Sequence, residues 1–384
     1  MLKIISVVGA RPNFMKIAPF IRVIESYNSA NAEKIEHHLI HTGQHYDDRM
    51  SRAFFDELGI PDADINLGIG SGTHAEQVGL TMIAFEKVLL QLRPDWVVVV
   101  GDVNAILACS VTAKKEKIKC CHIESGLRSG DMTMPEEINR LVADRICDLL
   151  LTPDTISSEN LMNEGIPPER IRFVGNIMID TLEANRSKAE SMNIADIVAG
   201  SLISGARPFV NTVEGIGNYA VMTLHRPSNV DTKSILEPIV RFVVEEVCTE
   251  RTVIWSIHPR TQKMLESFGL FDMLIQRDNL ILLEPLGYLE MLRLNMGARV
   301  LLTDSGGLQE ECTVLGTPCL TLRWNTERPV TLVENGGASV LVGNNLDRIR
   351  AEYRTAINSP RKPFRPPLWD GLTAGRCLDA ILGS

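Results

Sequence analysis

The sequence predicts an α/β protein built from two doubly wound domains facing a central cleft. Three observations carry that prediction. Short apolar runs alternate with longer amphipathic ones along the chain, and the plan runs through twice. The short runs rely on Val, Ile and Leu: the chain is 45% hydrophobic but only 5% aromatic, as suits buried parallel strands. At 384 residues it is long enough for two domains of ordinary size.

In the first half, strands are expected at Lys3–Gly9, His37–Thr42, Trp96–Gly101, Ile118–His122, Leu149–Thr152 and Arg172–Val174. Helical spacing falls between them at Met15–Ser26, Asp47–Leu58, His74–Leu92, Ala105–Lys115, Glu136–Cys147 and Ser157–Asn163. The second half repeats this with strands at Tyr219–Leu224, Thr252–Ile257, Leu280–Leu283, Val300–Thr303, Cys319–Leu322 and Ser339–Val342. Its helices are expected at Lys233–Thr249, Thr261–Phe268, Tyr288–Asn295 and Gly307–Leu315. The segment 175–218 holds a helical run and then GARPFVNTVEGIG, rich in turn formers. A boundary there divides the chain into domains of 1–175 and 176–365. A last helix near Asp370–Leu382 follows the proline-rich PRKPFRPP.

Composition narrows the function. A net charge of −9 without any Lys/Arg block argues against a general nucleic-acid surface. The apolar start of MLKIISVVGARP is too short for a signal-peptide core, and no stretch approaches the ~20 apolar residues of a membrane span. The eight cysteines form no CxxC or regular framework and are expected as free core thiols in a reducing cytoplasm.

The chemistry concentrates where strands end, because open α/β sheets hold ligands at the carboxyl ends of their strands. WVVVVGD ends in Asp102, and HIESGLRSGDMTMPEEINR follows the next strand with Glu124, Asp131, Glu136, Glu137 and Arg140. Asp102, Glu124 and Glu136 arise from different loops and are the candidates for acid/base work around one bound sugar. Glu137, Asp131 and Asp144 are expected as helix-face or loop charges. Arg140, one turn after Glu136, pairs with it or binds phosphate. Helix N-terminal capping is the competing reading of the acids, since Glu136 follows Pro135.

In VVGARPNFMK, Arg11 and Lys16 place cations near a helix start, which favours an anion. This is not GxGxxG, so a nicotinamide or flavin is not expected, and there is no P-loop lysine. LLTDSGGLQEE is the sharper phosphate signal: Ser305, Gly306 and Gly307 lead from a strand into a helix, with Glu310 or Glu311 available to ribose hydroxyls. His225 and His258 end successive strands. No His/Asp/Glu cluster has metal-ligand spacing, so no metal is assigned.

Taken together, GARPNFMK, HTGQHYD, VVVVGDVNA, HIESGLRS, MPEEINR, TLHRPSNVD, IHPR, TDSGGLQEE and LRWNTERPV resemble the non-hydrolysing UDP-N-acetylglucosamine 2-epimerases, in order from about residue 3 to 345. The resemblance implies a GT-B-like pair of Rossmann-type domains with the final helix, about 366–384, returning to the first. It implies interconversion of UDP-GlcNAc and UDP-ManNAc without cofactor, in a cytoplasmic homodimer. Carried over by motif, Arg11, His258, Ser305, Gly306, Gly307 and Glu311 form the UDP-binding set, with Glu311 on the ribose. Asp102, Glu124, Glu136 and His225 form the catalytic set, and Lys16, Arg140 and Arg323 lie near the sugar or phosphates. The chain departs from the bacterial pattern in a shorter loop between Arg128 and Pro135, in Tyr46–Asp47, and in LGIGSGTHAEQ, which lacks an arginine. Activation by a second substrate molecule is therefore not expected. The alternatives are a hydrolysing 2-epimerase, an epimerase of a UDP-2,3-diacetamido sugar, and a GT-B glycosyltransferase.

Overall fold

The computed structural model describes residues 1–9, 11–43, 58–206, 218–275 and 277–384, with the side chains of Arg11 and Pro12 excluded. The helix expected over Asp47–Leu58, apart from its last residue, and the Gln44–Asp47 stretch lie outside the described residues. The chain divides into two compact units: Met1–Ala184 with Pro366–Ser384, and Asn185–Arg365.

The first unit is a seven-stranded parallel sheet in the order β3-β2-β1-β4-β5-β6-β7. Its strands are β1 (Leu2–Val8), β2 (Ile35–His41), β3 (Ile65–Asn66), β4 (Trp96–Val100), β5 (Lys119–Ile123), β6 (Leu149–Thr152) and β7 (Ile171–Phe173). Every residue of β4, WVVVV, is buried, as a strand covered on both faces requires. Fully burying one such valine stabilises the fold by roughly 1.5–3 kcal/mol. The strand expected at Ile118–His122 begins one residue later, because Lys117 takes a left-handed conformation at φ 60°. The helix Thr373–Leu382 belongs to this unit: Asp180 accepts from the amides of Thr373 and Ala374 at 3.0 and 2.7 Å, and Trp369 Nε1 donates to Pro153 O.

The second unit is a six-stranded parallel sheet in the order β10-β9-β8-β11-β12-β13. Its strands are β8 (Ala220–Thr223), β9 (Val253–Ser256), β10 (Leu280–Leu283), β11 (Val300–Thr303), β12 (Cys319–Thr321) and β13 (Ser339–Leu341). The single helix expected over Lys233–Thr249 is instead interrupted: an α-helix to Phe242, a π-helical turn over Val243–Val247, then one last turn. The amphipathic helix Leu346–Asn358, which covers β12, was not anticipated.

Both sheets reverse strand order at a corresponding place. In the first the switch point lies between β1 and β4, which pair from Ile4 with Trp96 to Val7 with Val99. In the second it lies between β8 and β11, paired from Ala220 with Val300. Doubly wound sheets bind ligands beyond the strand carboxyl ends at such points.

Candidate active site

Each switch point gathers ionisable side chains. In the first unit the turn after β4 is held by Asn13, whose side-chain amide donates to Val100 O at 2.7 Å and accepts from Gly9 N at 3.1 Å. Gly101 turns at φ 76°, and a Cβ there would lie 3.1 Å from Lys16 Nζ and 3.6 Å from Glu124 Oε2. Lys16 and Glu124, both buried, form an ion pair. Glu124 itself takes φ 71°, a conformation unfavourable for a residue with a Cβ, and is anchored there by its backbone N–H, which donates to Leu151 O at 3.0 Å.

Asp102 and Arg140 complete this cluster. Arg140 Nη1 donates to Asp102 Oδ2 at 2.6 Å, and Asn139 Nδ2 donates to the Asp102 carbonyl at 2.9 Å. The Asp102 side chain stays 23% exposed, whereas that of Arg140 is 1% exposed. The structure thus brings together Lys16, Asp102, Glu124 and Arg140. Glu136 lies half-buried in the first turn of the helix Pro135–Ile146.

One expectation is corrected here and a second sharpened. Arg140 pairs with Glu137 at 2.5 Å and with Asp102, not with Glu136. Glu137 and Asp144, expected as helix-face or loop charges, do lie on this helix but are buried and paired, with Arg140 and Arg128. Burial alone would raise Glu137, but the hydrogen bond from Arg140 and the amides of Ser129 and Gly130 hold it below the ordinary carboxylate value. Asp144 meets His122 Nδ1 at 2.6 Å and Arg128 Nη1 at 2.7 Å. The burial penalty there is overcome first by the charge and hydrogen bond of His122 and then by Arg128, so Asp144 also sits low. A sequence signal existed: Glu137, Arg140 and Asp144 recur at i, i+3 and i+7, one face of a single helix. That face was polar, so a search for apolar stripes passed over it.

In the second unit Asp304 follows β11 and is fully buried. It accepts from the amides of His225 and Arg226 and from Asn229 Nδ2, and meets His225 Nδ1 at 2.8 Å. Burial would raise its carboxyl, but these donors, led by His225, hold it below its ordinary value. The ring of His225 lies 5.7 Å from that of His258, the N-cap of the helix Pro259–Ser267. Ser305 precedes the helix Gly306–Leu315 and makes no side-chain capping bond, so its first-turn amides suit an anion.

The carbon skeleton of Gly306 has a second reason to be bare. A Cβ there would lie 2.7 Å from Arg328 Nη1 and 2.9 Å from Glu327 Oε1. Those side chains belong to a buried chain of charges: Arg323 to Glu327 at 2.6 Å, Glu327 to Arg328, and Arg328 Nε to Glu310 at 2.7 Å. Sequence reasoning missed Glu327 and Arg328. Glu310 pairs with Arg328, and the neighbouring Glu311 is buried. Burial pushes Glu311 up to about 8. Arg11 opens the helix Arg11–Ala30, but its side chain lies outside the described residues. Among the described residues no group of His, Cys, Asp and Glu is placed to hold a metal ion, and no helix is long and apolar enough to cross a membrane.

The chain is 42% identical over 378 residues to the UDP-N-acetylglucosamine 2-epimerase of Methanocaldococcus jannaschii, covering 98% of each. It is 35% identical over 359 residues to a UDP-2,3-diacetamido-2,3-dideoxy-D-glucuronate 2-epimerase of Pseudomonas aeruginosa, covering 93% of this chain and 92% of that one. The crystal structure of the M. jannaschii enzyme in complex with UDP-GlcNAc and UDP superposes with a TM-score of 0.87 at 41% identity, covering 100% of both chains. The profile of the family described as UDP-N-acetylglucosamine 2-epimerase matches residues 28–382. The chain therefore belongs to the UDP-N-acetylglucosamine 2-epimerase family.

Proposed function

We propose that this protein interconverts UDP-GlcNAc and UDP-ManNAc by inverting carbon 2 through elimination and re-addition of UDP. The proton on carbon 2 is not acidified by a neighbouring carbonyl, so a free carbanion is out of reach. A carboxylate instead takes the proton as the bond from carbon 1 to UDP breaks. The C–H electron pair becomes the carbon 1–carbon 2 double bond, and the C–O pair leaves with UDP, giving a 2-acetamidoglucal. Protonation of carbon 2 on the opposite face and return of the UDP oxygen to carbon 1 complete the inversion.

That chemistry needs two acid/base groups and cations for the departing diphosphate. In this reading Asp102 and Glu136 are the acid/base pair, and Glu124 orients the sugar or shares a proton. His225 and Arg11 stabilise the leaving diphosphate, with Lys16, Arg140 and Arg323 near sugar or phosphates. Ser305, Gly306, Gly307 and His258 hold UDP, and Glu311 the ribose. The observation that carries the reading is the meeting of Lys16, Asp102, Glu124 and Arg140 at the first switch point, each carboxylate beside its own cation.

A UDP-2,3-diacetamido uronic acid substrate is the second reading, favoured by the 35% identical Pseudomonas relative. Proton NMR of each UDP-sugar with the enzyme in deuterated water and EDTA, without nicotinamide, tests both. Deuterium entering carbon 2 of UDP-GlcNAc as UDP-ManNAc appears supports the first. Exchange only with the diacetamido sugar supports the second, and free ManNAc with UDP means a hydrolysing enzyme. No exchange with either overturns the proposal and leaves a different UDP-sugar, a glycosyltransferase or a nucleotide-sugar sensor. A homodimer, checked by light scattering, and a cytoplasmic location complete it.

A further inference from the structure

His122 is fully buried, ends nothing and touches no solvent, yet both of its ring nitrogens are engaged. Nε2 donates to Gly101 O at 2.8 Å, since a carbonyl can only accept. Nδ1 lies 2.6 Å from Asp144 Oδ1, whose other oxygen takes Gly126 N at 3.0 Å and Arg128 Nη1 at 2.7 Å. Arg128 then forks onto Glu164, with Nε and Nη2 at 2.7 and 2.8 Å.

The two residues tied to this imidazole system are neighbours of the proposed acids. Gly101 precedes Asp102, and Gly126 closes the turn that carries Glu124. Gly101, Glu124 and Gly126 all have positive φ, at 76°, 71° and 81°. Glycine adopts positive φ freely, but Glu124 does not, and a residue with a Cβ held in that conformation needs surroundings that over-determine it. The imidazole bridges both turns, reaching Gly101 directly and Gly126 through Asp144.

We infer that His122 is a positioning residue that, with Asp144, locks the turns of Asp102 and Glu124 in register. This rests on the acid/base reading above. Displacing a reacting group by about 1 Å can cost on the order of 100-fold in rate, so loss of the bridge falls on turnover rather than on nucleotide binding.

The test uses the full chain at a temperature well below unfolding, with His122→Ala, His122→Gln, Asp144→Asn and Glu164→Gln. The Gln amide reaches where Nε2 sits and keeps the bond to Gly101 while losing Asp144. The expected order of kcat and carbon 2 exchange is wild type, then His122→Gln, then His122→Ala. The Ala variant falls at least ~30-fold, while KM and UDP affinity stay within about 3-fold. Asp144→Asn, which leaves the imidazole in place, falls at least ~10-fold and keeps the test open if the Ala variant does not fold. Glu164→Gln, at the half-exposed end, changes less than about 3-fold. Wild-type kcat in folded His122→Ala or Asp144→Asn overturns the inference. So does a joint loss of kcat and UDP affinity in step with the folded fraction. Absence of exchange in the wild type overturns the functional reading instead, which separates the two failures.

Discussion

Each unit places an aspartate just beyond the equivalent strand of its own sheet, and the two treat it in opposite ways. β4 and β11 occupy equivalent places in the strand orders. Asp102, after β4, keeps its side chain 23% exposed and pairs with the Arg140 guanidinium of the helix Pro135–Ile146. Asp304, after β11, is fully buried and collects two backbone amides, Asn229 and His225. One strand further along, the first unit presents Glu124 and the second presents Arg323. One topology therefore offers acids in one unit and donors for an anion in the other. Strand order decides where a site lies; the side chains that satisfy or expose the strand-end carboxylates decide its chemistry.

Substitutions can break that contrast. The largest effect belongs to Asp102→Asn: kcat is expected to fall by roughly 10²–10⁴, the worth of one general acid or base, with UDP affinity by calorimetry unchanged. An unaltered kcat would remove Asp102 from the acid/base pair. Asp304→Asn should do the reverse and strike stability first. Disturbing a buried, multiply bonded carboxylate costs about 1–3 kcal/mol, visible as a lower denaturant midpoint, and if turnover alone changed the contrast would collapse.

Glu311 sharpens it through pH. Burial raises its carboxyl from the ordinary 4.5 to about 8. Below the ordinary value both folded and unfolded chains carry the neutral acid and nothing is lost. As pH rises towards about 8 the unfolded chain ionises first, so stability declines across that window and levels off above it. Glu311→Gln should therefore match wild type in urea midpoint below about pH 4 and exceed it near pH 9, by an amount on the order of a few kcal/mol. A difference independent of pH would refute the raised carboxyl.

Gly306→Ala is expected to cost about 1–3 kcal/mol from overpacking against Arg328 and Glu327, and to weaken UDP binding as the turn shifts. The smallest effect is the control: Arg241→Ala removes exposed pairs to Glu237 and Glu245 and should change stability by less than about 0.5 kcal/mol.

Much of this was legible in the chain. The twice-repeated strand pattern led to two doubly wound sheets, because buried parallel strands leave near-continuous aliphatic runs that periodicity detects. The amphipathic helix Leu346–Asn358 was missed although its pattern was available, and the π-helical turn at Val243–Val247 leaves no trace in hydrophobic spacing. At the strand ends the residue types were readable, but their partners were not. Asp144 and Glu137 looked like ordinary helix charges, and only the packed structure puts them on His122, Arg128 and Arg140.

By itself the sequence determined which chemical groups lie near the ends of the strands it predicted, because local pattern and turn chemistry act over a few neighbouring positions. The tertiary structure decided which of those charges are neutralised by a partner and which stay half-open to solvent. Contacts such as Arg140 with Asp102, 38 residues apart, or Asp304 with His225, 79 apart, depend on strands brought side by side by crossover helices. Distance along the chain carries no information about distance in space until those strands are in place.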